Sequence, residues 1–374
     1  MSKKFFTLVQ TIQKKHPLLS QENIARTLLI TKGIHYKNQH SFPDHFSHYE
    51  LLFTAKKISP LSVLTLLNQQ SPFQLLDTGN SNEHVLLYDG EFLEIIQDYE
   101  QRLFDFKNHQ DPFYFYVEEI NGDLVLKLNP VQLCDFFQST KGEMPCAFCF
   151  RNDMVQRFRN ISAEELVKTI LKEEKKRDNC EMLKSIDELS IITGSYKDNE
   201  EYISEICLLV ESLKKYIRPD LRVVIGSHEG TSKSTFQKFK EAGVTTFAFP
   251  IEMIDDSVRK IRMKNRKGLV PMDVLRKDIE SAHALFGDSG VIIRLIAGMG
   301  DKLDATFENH VAEVASLGTA GPLWNINIYM PFTHYHWNVF QKKQPYTLEY
   351  LFTYMEIINK YVPQDRQMRF KISP

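Results

Sequence analysis

No stretch of the chain approaches the roughly 20 consecutive apolar residues that a helix needs to cross a bilayer, so no membrane span is expected. Only five of the 374 residues are cysteine, too few and too scattered for a disulfide framework. The formal net charge of -2 leaves no basic field to draw in nucleic acid or an anionic membrane surface, and neither is expected as a partner. The opening stretch, MSKKFFTLVQTIQKKH, has Gln10, Gln13, Lys14 and Lys15 where a signal peptide has its apolar core, which predicts a cytoplasmic protein. There is no second CxxC pair, no HxxxH pair and no DxHxxG string of the kind that marks cobalamin binding. What remains is an ordinary globular composition, 43% hydrophobic and 25% charged, in a chain long enough for two or three domains.

Three of the cysteines are concentrated in residues 131–153, VQLCDFFQSTKGEMPCAFCFRND. Cys134, Cys146 and Cys149 stand as C-x11-C-x2-C, and thiolates so spaced on a loop suit a soft metal or an iron-sulfur cluster. A structural zinc site closes with four ligands, usually in two paired sets. Three thiolates on a cubane instead leave one iron open to a substrate or cofactor. Structural zinc remains an alternative, as does a pair of buried free thiols. Cys180 and Cys207 lie apart in helical-looking segments and are expected to be free, which limits the chain to one cluster.

Residues 1–110 are expected to form a mainly helical accessory domain. SQENIARTLLITKG and SPLSVLTLLNQQ carry apolar residues at helical spacing, with Ser20 and Ser59 as starters and Gly33 closing the first. Phe46, Tyr49, Leu52 and Phe53 suggest a further apolar stripe, continued by EFLEIIQDYEQRLFDF. His35, His40, His45 and His48 are irregularly spaced, and no metal is assigned to them. FYFYVEEINGDLVLKLNP then reads as a hairpin turning at Asn121 and Gly122. From ISAEELVKTILKEEKKRDN onward, helices and apolar strands alternate as far as LWNINIYMP, the rhythm of a parallel sheet or barrel.

The string CAFC, followed by this alternation, resembles the radical SAM enzymes, although that family has three residues between its first two cysteines where this chain has eleven. KEAGVTTFAFPIEM, ALFGDSGVIIRLIAGMGD and LWNINIYMPF look like the fourth, fifth and sixth barrel strands of the biotin-synthase-like branch. The resemblance covers roughly residues 125–340 and implies an α/β fold, a partial (β/α)6 TIM-type barrel over residues 111–345, with a C-terminal helix and tail over 346–374. It implies a 4Fe-4S cluster on Cys134, Cys146 and Cys149, with Phe148 beside it. S-adenosylmethionine (SAM) would bind at Gly194, Ser195, Ser227, Glu229 and Glu252. One of Arg259, Arg262 and Arg266 would hold its carboxylate, Arg262 and Arg266 being preferred. It further implies reductive cleavage of SAM to a 5′-deoxyadenosyl radical, an electron donor such as flavodoxin or ferredoxin, and a small-molecule substrate. A non-catalytic iron-sulfur protein on the same barrel is the alternative of a different class.

The residues themselves mark a substrate site. Arg294 sits inside the apolar strand VIIRLIAG, where a charge is costly unless it meets a polar cavity or a partner. By strand alternation Ile292, Arg294 and Ile296 share one face, and Asn325, Asn327 and Tyr329 share another. Turned into a barrel, these faces offer a guanidinium, two amides and a phenol to a small polar or anionic substrate. His334 and His336 in THYHW are further acid or base candidates at the barrel mouth.

Overall fold

The computed structural model describes residues 2–36, 49–53, 61–65, 70–78, 83–98, 104–107, 114–120, 123–130, 146, 160–176, 181–193, 199–226, 232–329 and 346–373. Its N-terminal part opens with helices α1 (Lys3–Lys15) and α2 (Gln21–Lys32). Ser20 caps α2 by accepting from Asn23 N, and Gly33 ends it with a positive φ of 68°, as the sequence predicts. Six strands follow in one sheet: β1 (His35–Tyr36), β2 (Tyr49–Phe53), β3 (Leu61–Thr65), β4 (Phe73–Asp77), β5 (Glu83–Tyr88) and β6 (Glu91–Asp98), in the order β1-β4-β5-β6-β2-β3.

This corrects the expectation of a mainly helical region. Leu61–Thr65 of SPLSVLTLLNQQ is a strand paired antiparallel with Tyr49–Phe53, and EFLEIIQD is a strand paired with Glu83–Tyr88. The physical reason lies in the Asp89-Gly90 pair between β5 and β6. Both residues have positive φ, 47° and 78°, the geometry of a two-residue hairpin turn that binds HVLLY to EFLEII. Local turn chemistry overrides the helical spacing there. His35 lies in β1; Ser59, Phe46, His40, His45 and His48 fall outside the described residues.

The second sheet has nine strands. Beside β7 (Phe104–Lys107), β8 (Phe115–Ile120) and β9 (Asp123–Leu128) form the expected hairpin, with Ile120 opposite Asp123. From β9 onward every neighbour is parallel: β10 (Glu188–Ile192), β11 (Arg222–Gly226), β12 (Thr246–Glu252), β13 (Val291–Ala297), β14 (Leu323–Tyr329) and β15 (Gln367–Ser373). Helices α3 (Ala163–Lys175), α4 (Met182–Ser185), α5 (Asn199–Leu213), α6 (Lys233–Ala242), α7 (Asp256–Arg262), α8 (Arg266–Leu269), α9 (Met272–Phe286), α10 (Ala305–Ala315) and α11 (Leu348–Tyr361) connect them. The fold is thus α/β, a partial TIM-type barrel. The six strands expected from the sequence are β9 to β14, and β15 extends them by one.

The two faces of this sheet differ sharply in chemistry. Outward positions such as Leu189, Ile191, Val223, Ile225, Phe247, Ile293, Leu295, Trp324, Ile326 and Ile328 are buried in the main core. Inward positions form only small apolar clusters, Val224, Ala248 and Ile292 in one, Met253, Met263, Ile296 and Met299 in the other. β14 shows the split directly, because Trp324, Ile326 and Ile328 are buried while Asn325, Asn327 and Tyr329 between them are half-buried. The N-terminal helices dock on α11, where His16 lies between Glu356 (2.8 Å) and Glu349 (3.4 Å) and Asn359 donates to Leu18 O (2.8 Å).

Candidate functional site

Strand register places the polar residues of the inward face together. Pairing runs Tyr116 to Lys127, Lys127 to Ser190, Glu188 to Arg222, and Arg294 to Asn325, so these side chains line one concave surface. Along β13, Arg294 lies between Ile292 of one small apolar cluster and Ile296 of the other. It retains accessible surface although protein surrounds it, as expected of a side chain facing an internal bore. Burial pulls its affinity for protons below that of an ordinary arginine, while the Glu188 and Glu252 carboxylates act in the opposite sense. A Cβ built on Gly226 would stand 2.9 Å from Arg294 Nη1, so the absence of a side chain at the end of β11 makes room for the guanidinium.

Among the described residues, the neighbouring strand cations Lys127 and Arg222 each face a carboxylate. Lys127 forms an ion pair with Glu118; burial opposes its charge, but the Glu118 carboxylate prevails and holds the ammonium's pKa above the usual value. Arg222 Nη1 stands 3.6 Å from Glu188. Asn325, next to Arg294 in register, has a buried amide oxygen with no hydrogen-bond partner among the described residues. Burial raises the Tyr329 phenol, with Arg262 opposing the shift.

At the carboxyl ends of the strands the backbone turns sharply. Glu252, the last residue of β12, has a positive φ of 67°, uncommon for a residue with a side chain, and its carboxylate pairs with Lys267 at 3.0 Å. Arg262 Nε donates to Met299 O at 3.2 Å, and the buried Arg259 donates from Nη2 to Lys267 O at 2.9 Å. Gly298 has φ of 98° and lies against the Tyr346 ring, whose hydroxyl donates to Tyr329 O at 2.5 Å. Asp301, 2% exposed, accepts from Asp255 N at 2.8 Å, and burial together with the Asp255 charge raises its pKa to about 7.

Cys146 belongs to this mouth. It packs against the cluster of Met253, Met263, Ile296 and Met299, and its Sγ accepts from Asn265 Nδ2 at 3.4 Å. Asn265 is itself buried and caps α8, its Oδ1 accepting from Lys267 N at 3.0 Å. Sequence reasoning missed this residue; its only signal was an asparagine ahead of the short RKGL helix, a cap signature.

Of the sequence-predicted groups, the structure therefore brings Arg294, Asn325, Asn327 and Tyr329 to the inward face and Cys146, Glu252 and Arg262 to the mouth. Arg266 opens α8, its side chain lying outside the description. Cys134, Phe148, Cys149, Cys180, Gly194, Ser195, Ser227, Glu229, His334 and His336 fall outside the described residues. Thr193, just before the predicted SAM turn, donates to Gly226 O at 3.3 Å. Cys207 is a free thiol that burial, with help from Glu211, pushes up to about 11. Among the described residues there is no group of three or more His, Cys, Asp or Glu that would hold a metal, and no helix long and apolar enough to cross a membrane.

No family model matches the chain, and no curated protein does. Among solved structures it is similar to HydG, a maturase of the FeFe-hydrogenase, at 15% identity and a TM-score of 0.45, over 63% of this chain and 49% of that one. It is also similar to methylornithine synthase, PylB, at 16% identity and a TM-score of 0.41, over 63% of this chain and 62% of that one. With coproporphyrinogen III oxidase, HemN, from Escherichia coli, described as a radical SAM enzyme, it shares 14% identity and a TM-score of 0.31, over 38% of this chain and 32% of that one. The chain thus spans about half the length of HydG.

Proposed function

We propose that the chain is a radical SAM enzyme acting on a small polar or anionic substrate. The observation that carries this reading is the position of Cys146, set at the carboxyl ends of the barrel strands beside an inward face that holds Arg294, Asn325 and Asn327. In parallel barrels, reactive groups gather at that end.

Cys146, the described member of the three, suits the cluster that the cysteine spacing implies. Cys146, with Cys134 and Cys149 as its partners, supplies thiolates, and the amide N–H of Asn265 already points at the Cys146 sulfur, the donor a thiolate ligand accepts from. When bound, a 4Fe-4S cluster with an electron from flavodoxin or ferredoxin supplies the reductive cleavage of SAM to a 5′-deoxyadenosyl radical, which takes hydrogen from the substrate. The chain's own part is to bind and to exclude water. Met253, Met263, Ile296 and Met299 keep the surroundings of the thiolate apolar. Glu252 and Arg262 at the mouth are candidates for the polar parts of SAM, and Arg266, Gly194, Ser195, Ser227 and Glu229 are carried as candidates from the sequence alone. Arg294, Asn325, Asn327 and Tyr329 orient the substrate in the bore.

Anaerobic reconstitution with iron and sulfide, followed by reduction in the presence of SAM, tests this directly. Formation of 5′-deoxyadenosine is the expected result. A full cluster without 5′-deoxyadenosine would make the chain a non-catalytic iron-sulfur protein, and stoichiometric zinc without visible absorption a structural zinc protein.

A further inference from the structure

Among the described residues of the barrel strands, the cations are not all matched. Lys127 is paired with Glu118, Arg222 faces Glu188 at 3.6 Å, and Lys267 holds Glu252 at 3.0 Å. Each of these cations has its own carboxylate. Arg294 has none within ion-pair distance and makes no hydrogen bond among the described residues; Glu188 and Glu252 reach it only through space. An unmatched guanidinium inside a protein is costly, and that cost is offset only when an anion arrives. Beside it, the Asn325 amide oxygen is also without a partner among the described residues.

Shape agrees with charge. Gly226 forms a floor under the fork, and no side chain other than hydrogen would leave Nη1 where it is. The small apolar clusters containing Ile292 and Ile296 flank Arg294 along β13, lowering the local dielectric and strengthening any pair it forms.

We propose that Arg294 is the substrate's carboxylate subsite: it takes a monoanionic carboxylate by both arms of its fork, over Gly226, and discriminates against phosphate. This rests on the reading of the bore as the substrate site. A single unmatched positive charge is neutralised by one carboxylate. A phosphate monoester, carrying about -1.5 to -2 near neutral pH, would leave negative charge buried beside Glu188 and Glu252. The pairing of Arg222 with Glu188 is therefore part of the selectivity, since it withholds a second cation from the ligand.

The test uses the full-length reconstituted protein and fluoroacetate, a carboxylate small enough to enter any bore, followed by fluorine NMR with acetate and methylphosphonate as competitors, at a pH above the second pKa of methylphosphonate so that it is a dianion. Saturable binding is expected, with methylphosphonate competing about tenfold less well than acetate or worse. Arg294→Ala and Arg294→Lys should each weaken fluoroacetate by about tenfold or more, because charge-assisted hydrogen bonds to the fork are lost. Glu188→Gln frees Arg222 and should narrow or reverse the preference for acetate, which keeps the idea testable should the arginine variants fail to fold. Absence of saturable binding overturns the proposal, as does equal binding by a folded Arg294→Ala protein, or a preference of the unsubstituted protein for methylphosphonate. SAM also carries a carboxylate. If saturating SAM displaces fluoroacetate, the subsite belongs to the cofactor and the assignment to substrate is wrong. No step of the titration needs SAM cleavage. A protein that forms no 5′-deoxyadenosine yet holds fluoroacetate through Arg294 thus refutes the reaction and supports the subsite.

Discussion

Gly226→Ala separates the role of the bore from the stability of the barrel. The new methyl would lie 2.9 Å from Arg294 Nη1 but 3.8 Å from Arg294 Cζ and from Ile191 O, so among the described residues it crowds only the far end of a flexible side chain. Ordinary contact begins at 3.4 Å, which requires the guanidinium to retreat by about half an ångström or more. Gly226 is not in the left-handed region, and alanine there restricts the unfolded chain, worth about 0.5 to 1 kcal/mol in favour of the fold. The melting temperature should hold or rise by about 1 °C. Binding should suffer instead. Tilting the fork removes one of its two hydrogen bonds to a carboxylate, about 1.5 to 3 kcal/mol, or roughly tenfold or more in Kd for fluoroacetate. Thermal denaturation and the fluorine NMR titration, run on the same preparation, provide the two readings. A melting point lowered by more than about 5 °C would mean that the backbone moved rather than the arginine, and unchanged affinity would mean that Arg294 does not hold the ligand; either refutes the reasoning.

Replacing Cys134, Cys146 or Cys149 singly with alanine should abolish the visible cluster absorption, while the unsubstituted protein approaches about four irons per chain, the content of one cubane; about eight irons would reveal a second cluster. Asn265→Ala removes the N–H donor from the Cys146 sulfur, and should lower the reduction potential without changing iron content, as measured by redox titration followed by electron paramagnetic resonance. Asp301 binds its proton more tightly in the folded state, with pKa raised to about 7, so the folded chain holds more protons than the unfolded one between about pH 4 and 7. The stability contributed by the protonated acid is complete below the unfolded pKa and is lost as pH rises through about 7. Asp301→Asn, which keeps the oxygen that accepts from Asp255 N, should flatten that fall in denaturant titrations repeated across this range; an unaltered slope would place the pH dependence elsewhere.

The barrel was legible in the sequence because its strands are short apolar runs separated by amphipathic helices whose caps are explicit. Ser162 accepts from Glu165 N, Ser232 from Thr235 N, and Asp304 from both Thr306 N and Phe307 N, each where an apolar period begins. Arg294 was legible for a related reason, since a charge amid VII and LIA has no comfortable place except a polar bore. The N-terminal region was not, because EFLEIIQD and SPLSVLTLL satisfy helical spacing and strand alternation about equally over so few residues. Asp89-Gly90 was the deciding signal there. Gly226 and Asn265 were illegible for a different reason. Their roles come from what lies across the bore or at a distant loop, Arg294 68 positions later in one case and Cys146 119 positions earlier in the other, and no local pattern encodes such a contact.

On the proposed function, the two small inward clusters would let one barrel face serve two kinds of chemistry. Ile292 and Ile296 belong to different clusters, and Arg294 stands between them on the same strand. The cluster containing Ile296 also holds Cys146, so the thiol and the guanidinium are close in the fold yet set apart by apolar side chains. That separation has an electrostatic consequence. In a dry interior, an unscreened cation would bias a nearby thiolate towards its charged form and raise the reduction potential of a cluster held by it. Among the described residues of the barrel strands, Lys127 and Arg222 each face a carboxylate while Arg294 has none of its own, and a substrate carboxylate would neutralise it. Carboxylate binding should then shift the cluster potential to more negative values, by less in Arg294→Lys than in the unsubstituted protein. Redox titration with and without saturating acetate measures this. A potential that does not respond to acetate, in a protein shown by fluorine NMR to bind it, would mean that the apolar layer insulates the two sites fully and that the ligand's charge is not felt at the thiolate.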